Sequence, residues 1–243
     1  MAVIAIYSVK GGVGKTTLAA NLAWCSATIS CRRTLLWDLD AAGGAGFLLG
    51  IEPHARRSAG AVIAKATDPA RLIRKTGFAN LDLLPADESI RAIEAQLTTL
   101  GKRKRIAKLA AQLGKDYERI VIDCPPVLGE TSAQVMRAAD VVIVPLPPSP
   151  LSARAFDLVA KEVKANADPH PPILPVLSML DLRRSLHKAA RDANPDWPVI
   201  PYSSAAEQCA VQRQPVGAFA PGTSAAQAFA RLWTAIERKL AKR

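Results

Sequence analysis

The sequence predicts an α/β fold, a doubly wound and mostly parallel sheet flanked by helices, in a single domain of residues 1–243. Two observations carry this expectation. Apolar, β-prone runs alternate with helical patterns through nearly the whole chain, as strands covered on both faces by crossover helices require. The first of these runs also leads through a glycine- and lysine-rich turn directly into a helical stretch. An apolar content of 49% over 243 residues supports a sizeable core. No run approaches the roughly 20 unbroken apolar residues of a membrane span.

The elements follow in order. Ala2-Val3-Ile4-Ala5-Ile6-Tyr7 has no basic leader and no cleavage site, so residues 3–7 read as a strand and not as a signal peptide. A helix is expected over 15–30, then a strand over 34–38 in Leu35-Leu36-Trp37-Asp38, and a third over 81–84. A long helix is expected over 89–113, where Ile106, Leu109, Ala110 and Leu113 recur on one face. A strand over 119–123 ends on a carboxylate and precedes a helix over 131–138. Strand 141–145 and helix 153–167 flank Pro147-Pro148-Ser149-Pro150, short enough for a strand-to-helix loop. Strand 173–178, helix 184–193, strand 199–200 and helix 205–212 continue the alternation. The last helix, 224–242, carries Phe229, Leu232, Trp233, Ile236 and Leu240 on one face. It reads as a core helix in preference to a membrane-docking one. No linker, repeat or low-complexity tract divides the chain.

The chemistry starts in Ser8-Val9-Lys10-Gly11-Gly12-Val13-Gly14-Lys15-Thr16-Thr17. An ordinary phosphate-binding loop, G-x-x-x-x-G-K-[ST], needs glycine at position 9, where this chain has Val9. Gly11, Gly12 and Gly14 still let backbone N–H groups, with those of Val13 and Thr17, crowd round a phosphate chain at the positive end of a helix. Lys15 stands where the loop lysine reaches the terminal phosphates, and Thr16 where a hydroxyl ligates Mg²⁺. Lys10 is a surplus cation that the cradle itself does not require.

Ligands of such sheets sit beyond the carboxyl ends of the strands, which directs attention to three aspartates. Asp123 closes Ile120-Val121-Ile122-Asp123 and is placed to hold the Mg²⁺ shell opposite Thr16. Asp38 and Asp40 end the second strand one residue apart. If the backbone is still extended there, both point towards the nucleotide, Asp38 supporting the metal shell and Asp40 orienting a water. Gly43, Gly44 and Gly46 then supply a segment suited to sensing the γ-phosphate.

In order, Lys10-Gly11-Gly12-Val13-Gly14-Lys15-Thr16-Thr17, Asp38-Leu39-Asp40 and Ile122-Asp123-Cys124-Pro125-Pro126 resemble the deviant Walker A, A′ and Walker B motifs of the ParA/MinD ATPases, SIMIBI-class P-loop NTPases. The likeness continues through Ala138-Ala139-Asp140, Leu177-Ser178-Met179-Leu180-Asp181 and the closing segment 222–240, so it spans essentially the whole chain. It implies ATP and Mg²⁺ as cofactors and a homodimer that sandwiches two nucleotides. By the same resemblance, Lys10 reaches the partner's phosphates, Asp40 serves water activation, and hydrolysis is slow and stimulated by a partner. The chain departs from the family's usual D-x-D-P-Q-G at Ala41 and Ala42. Tyr202-Ser203-Ser204-Ala205-Ala206 lacks the charge that family members carry after the final strand, so no DNA-contacting arginine transfers there. Few residues precede the first strand, so no N-terminal helix-turn-helix is expected.

The balance of 32 basic against 21 acidic residues, net +11, points to a polyanionic partner. Lys102-Arg103-Lys104-Arg105 with Lys108 forms one cationic cluster, and Arg183-Arg184, His187-Lys188 and Arg191 a second. These favour non-specific DNA, hence a cytoplasmic, nucleoid-associated protein that segregates a plasmid or chromosome or positions an assembly through a ParB-like or cargo-adaptor partner. An anionic membrane surface is the alternative. Cys25, Cys31, Cys124 and Cys209 lack C-x-x-C spacing and read as reduced thiols. That spacing also argues against a reductase of the same fold, which needs two cysteines per subunit for a cluster. An ATP-dependent ligase would need a second substrate pocket, for which the sequence has no signature.

Overall fold

The computed structural model describes residues 1–52, 58–65, 68–93, 95, 97 and 104–242. Its elements are β1 (Ala2–Ile6), α1 (Lys15–Thr28), β2 (Thr34–Asp38), α2 (Gly44–Leu48), α3 (Ala59–Lys65), β3 (Arg74–Lys75), β4 (Leu81–Leu84), α4 (Arg105–Leu113) and β5 (Arg119–Asp123). There follow α5 (Glu130–Ala138), β6 (Val141–Leu146), α6 (Pro150–Asn166), β7 (Ile173–Leu180), α7 (Ser185–Ala193), β8 (Val199–Pro201), α8 (Ser204–Gln212), α9 (Val216–Phe219) and α10 (Ser224–Leu240).

Among the described residues eight strands form one sheet in the order β3-β4-β2-β5-β1-β6-β7-β8. β3 pairs antiparallel with β4, and every other pairing is parallel. Side chains alternate across this sheet. Val3, Ala5 and Tyr7 face a core shared with Ile106, Leu109 and Leu113 of α4 and Val159 and Val163 of α6. Ile4 and Ile6 face a second core with Leu18 and Leu22 of α1 and Phe229, Leu232 and Trp233 of α10. Burial on both faces is why the central strands read as unbroken apolar runs.

α10 is held by that second core. Leu232, Trp233 and Ile236 are buried, and the Trp233 indole donates to Ser30 Oγ at 2.8 Å. Each such apolar side chain contributes roughly 1.5–3 kcal/mol by leaving water. Its apolar stripe therefore packs inward against the sheet and α1, as expected of a core helix.

Each expected strand forms, with ends shifted by no more than a few residues. The edge strand β3 is not legible in the sequence, because two residues carry no periodicity. The sequence pattern does not predict α2, α3 or α9 either. Glycine-rich Gly44-Ala45-Gly46 is a poor helix former, and α2 forms because a buried carboxylate of the preceding strand holds its first turn. In its described parts the long helix expected over 89–113 starts as a 3₁₀ turn, Glu88–Ala92, is helical at Ile93, Ala95 and Leu97, and ends as α4; Lys102 and Arg103 lie outside the described residues.

Candidate functional site

Three neighbouring strands end on one level. Ile6 of β1 lies opposite Asp123 of β5, and Asp123 lies opposite Asp38 of β2. The Leu39 N–H donates to the Asp123 carbonyl at 2.9 Å and carries the β2–β5 pairing one residue further. This register brings two carboxylates side by side beneath the loop that leaves β1.

The loop turns through glycines at positive φ, Gly12 at 70° and Gly14 at 86°, where a side chain would be strained. A Cβ built on Gly11 or Gly12 would meet nothing within 4 Å, so the loop is open on that side. Gly14 is the N-cap of α1 and supplies no side-chain cap, and the first turn contains no acidic residue. The unpaired N–H groups and the positive dipole end of a 14-residue helix thus face that opening. An anion is what such an end binds.

The lysines differ in setting. Lys15 is buried, and its Nζ donates to the Lys10 carbonyl at 3.3 Å. Burial lowers its pKa, while Asp123 and Asp40 act to raise it. Lys10 is half-buried and rests its Nζ on Ser149 Oγ at 3.5 Å, at the cap of α6.

The carboxylates divide just as clearly. Asp123 is fully buried, and neither of its oxygens has a hydrogen-bond partner among the described residues. Burial pushes its pKa up to about 7; Thr16 and Lys15 favour the charged form, and Asp40 opposes it. Thr16 is thus a close neighbour without satisfying the carboxylate in good hydrogen-bond geometry. A buried anion with no donor is the group a cation would satisfy. Asp38 is equally buried, and its pKa is also raised by burial and by Asp123. Its oxygens are engaged, however. Oδ1 accepts from the Asp40 N–H at 2.9 Å and Oδ2 from the Ala45 N–H at 3.0 Å.

These bonds turn the chain after Leu39, so the expected extended run through Asp40 stops short. Asp38 instead ties the 38–45 loop to the sheet and starts α2. Asp40 Oδ1 accepts from the Ala42 N–H at 3.0 Å, and its carboxylate still bears on Lys15, Asp38 and Asp123. Lys10, Lys15, Thr16, Asp38, Asp40 and Asp123 therefore meet at one end of the sheet. Among the described residues, no three His, Cys, Asp or Glu side chains are grouped to hold a metal by themselves. A hard cation here would rely on Asp123, the Thr16 hydroxyl, water and phosphate oxygens, a donor set that suits Mg²⁺.

A cavity of about 150 Å³ opens beside the loop, walled by Val13, Met179, Pro201, Tyr202, Glu207 and Phe229 among others. Met179 sits at the β7–β8 register shift with φ 54°, a strained value for a non-glycine residue. No sequence motif places Tyr202 and Glu207 at the site. The signal available is their position just past the end of β8, the same side on which the loop and the aspartates stand.

The basic clusters are thinner than the sequence implies. The Arg105 guanidinium caps α3 by donating to the Ile63 and Val62 carbonyls at 2.6 and 2.8 Å. His187 is buried, and its Nδ1 accepts from the Asp181 N–H at 2.9 Å. Arg183 pairs with Asp181, and Arg191 donates to the Trp197 carbonyl at 2.8 Å. Lys104, Lys108, Arg184 and Lys188 remain exposed. The cysteines are free thiols, with Cys25, Cys124 and Cys209 buried. Among the described residues no helix is long and apolar enough to cross a membrane.

Comparison with known proteins agrees with this geometry. The family model described as an AAA domain matches residues 1–170. The sporulation initiation inhibitor protein Soj of Bacillus subtilis is 36% identical over 146 residues, 59% of this chain and only 57% of Soj's own length. The chromosome partitioning protein ParA of Caulobacter vibrioides is 34% identical over 200 residues, 78% of this chain and 74% of that one. Among solved structures, the septum site-determining protein MinD of Pyrococcus horikoshii, complexed with Mg-ADP, superposes with a TM-score of 0.80 at 25% identity, covering 99% of this chain and 97% of that one. Cobyrinic acid a,c-diamide synthase of Mycobacterium smegmatis, with a bound ATP analogue and magnesium, gives 0.83 at 26% identity, with coverage of 99% and 96%. With the two-lysine loop and the paired strand-end aspartates in place, this chain belongs to the ParA/MinD family of P-loop ATPases.

Proposed function

We propose that this chain acts as a single ParA-like ATPase domain whose ATP-bound form is a sandwich dimer. The dimer coats DNA without sequence preference, and partner-stimulated hydrolysis releases it, so that a plasmid, chromosome or protein assembly is segregated or positioned. The observation that carries the reading is the convergence of the two-lysine loop on a buried, unpartnered Asp123, with Asp38 and Asp40 alongside.

In this reading Gly11, Gly12, Val13, Gly14 and Thr17 offer backbone N–H groups to the phosphates, at the uncapped start of α1. Lys15 exchanges the Lys10 carbonyl for phosphate oxygens. Its partial burial strengthens that contact, because little water screens it. Asp123 and the Thr16 hydroxyl would hold Mg²⁺, with Asp38 behind them; bound there, the ion screens phosphate charge and fixes the leaving oxygens. Asp38 has a second task, holding the 38–45 loop so that Asp40 is presented at the site to orient a water. Lys10 lifts from Ser149 and reaches the phosphates held by a second copy, which makes dimerisation depend on the γ-phosphate. Slow turnover then acts as a timer, and a ParB-like or cargo-adaptor protein shortens it.

The net charge of +11 and the exposed Lys104, Lys108, Arg184 and Lys188 support DNA as the surface bound, doubled in a dimer. Inward packing of the α10 stripe supports DNA over a membrane as well. Co-sedimentation with plasmid DNA and with anionic liposomes, each with ATP, ADP or neither, tests the proposal. ATP-dependent pelleting with DNA is expected. Pelleting with liposomes and not with DNA contradicts the choice of surface.

A further inference from the structure

The segment that carries Asp38 and Asp40 is held on two sides. On the inner side, Ala45 and Leu48 of α2 are buried in the second core, and the Ala45 N–H donates to Asp38 Oδ2. Gly44 lies so close to Thr16 that a Cβ built on it would come within 3.3 Å of the hydroxyl oxygen. The Asp40 carbonyl accepts from the Gly43 N–H at 2.9 Å, so the turn bearing Asp40 runs directly into α2. Ala41 and Ala42 have no polar side chain to anchor that turn by themselves. The position of α2 therefore bears on Asp40.

The outer side of α2 is covered by a single cation. The Arg213 guanidinium lies over the Phe47 ring, with its carbon 4.8 Å from the ring centroid. The stem of the same side chain passes Gly50, where an added Cβ would meet Arg213 Cβ and Cδ at 3.8 Å. Arg213 thus spans the last turn of α2 and the residues that leave it.

Arg213 ends α8 at φ 52°, a left-handed conformation that favours glycine and strains an arginine. Among the described residues no carboxylate pairs with its charge. The residue is exposed, and Phe47 is 48% exposed. Neither core packing nor an ion pair accounts for an arginine at this position. What its side chain does is grip the outer face of α2. A cation over an exposed aromatic ring shifts an equilibrium by about two- to fivefold.

We propose that Arg213 is a positioning residue for hydrolysis: stacked on Phe47, it clasps α2 and so keeps the turn over residues 40–43 where Asp40 faces the attacking water. The assignment rests on the reading of Asp40 given above. Without the clasp the buried face of α2 still packs, but its outer turn loosens, and the fraction of molecules with Asp40 in place falls. The phosphate loop is untouched, so ATP affinity is not expected to change.

Single-turnover hydrolysis and calorimetric ATP affinity, both with Mg²⁺, test this on the full chain as wild type, Arg213→Met, Arg213→Lys, Phe47→Leu, Asp40→Ala and the double variant Asp40→Ala/Arg213→Met. Arg213→Met keeps the stem on Gly50 and loses the charge, and Phe47→Leu keeps an apolar side chain and loses the ring. Each should slow hydrolysis by about two- to fivefold with ATP affinity within about twofold of wild type. Arg213→Lys should retain most of the rate, a rescue that a purely steric role would not give. The double variant should hydrolyse ATP at the rate of Asp40→Ala alone, because Arg213 acts through Asp40. An unchanged or faster Arg213→Met, an Arg213→Lys as slow as Arg213→Met, or additive losses in the double variant overturn the assignment and leave the reading of Asp40 standing. A wild type that hydrolyses no ATP, or an Asp40→Ala protein as fast as wild type, overturns that reading itself and this assignment with it.

Discussion

Replacing Asp123 by asparagine should stabilise the ligand-free protein at neutral and alkaline pH while removing its Mg²⁺-dependent response to ATP. The carboxyl is fully buried, its oxygens have no hydrogen-bond partner among the described residues, and its pKa is pushed up from 3.8 to about 7. The folded state thus binds this proton more tightly than the unfolded chain does. Its contribution to stability is present in full below pH 3.8, falls as pH rises, and is lost above about 7. At about 1.4 kcal/mol per tenfold difference in proton affinity, ionisation costs the fold at most about 4 kcal/mol. Asp38 lies against it and is also raised by burial and by the Asp123 charge, so the two carboxyls titrate as a pair. Asparagine has the shape of the neutral acid, and its own buried polar cost cancels against that form. Urea unfolding of both proteins between pH 4.5 and pH 8 should therefore show a gain of about 2–4 kcal/mol at pH 8 that shrinks to below about 1 kcal/mol at pH 4.5. In thermal unfolding with ATP, added Mg²⁺ should raise the midpoint of wild type and not of the variant. A variant less stable than wild type at pH 8, or a gain equal at both pH values, would refute the reasoning.

Other perturbations separate packing from chemistry. Trp233→Ala should cost about 3–5 kcal/mol in urea unfolding, because a wholly buried indole and its bond to Ser30 are removed together. Asp40→Ala should bind ATP and dimerise while phosphate release under single-turnover conditions falls at least about tenfold, since only water orientation is removed. The paired substitutions Lys108→Ala and Lys188→Ala should leave unfolding within about 0.5 kcal/mol of wild type. DNA affinity measured against salt concentration should show a shallower slope, by about one for each DNA phosphate that the variant no longer neutralises.

Much of the site was legible because its signals are local. The glycines at 11, 12 and 14, the lysines at 10 and 15 and the strand-closing Asp123 lie in short runs whose chemistry does not depend on distant packing. The strands were legible for a related reason: burial on both faces makes them continuously apolar. What the sequence concealed was set by partners far along the chain. Nothing local distinguishes Asp38, whose oxygens hold the Asp40 and Ala45 N–H groups, from Asp123, whose oxygens hold none. Arg105 reads as a surface cation, yet it caps α3 through carbonyls 42 and 43 residues away. His187 reads the same way and is in fact a buried acceptor. The cavity residues Tyr202 and Glu207 could be found only by asking which side chains follow the last strand on the side of the loop.

The central claim is that Lys10 converts a nucleotide site into a dimer switch. Sedimentation velocity of wild type and Lys10→Ala, each with Mg²⁺ and either ATP or ADP, tests it most directly, with ATP binding by both proteins verified by calorimetry. Wild type should sediment as a dimer with ATP and as a monomer with ADP, and Lys10→Ala as a monomer with both. A Lys10→Ala protein that still dimerises with ATP, or a wild type whose mass is the same with either nucleotide, would contradict the account.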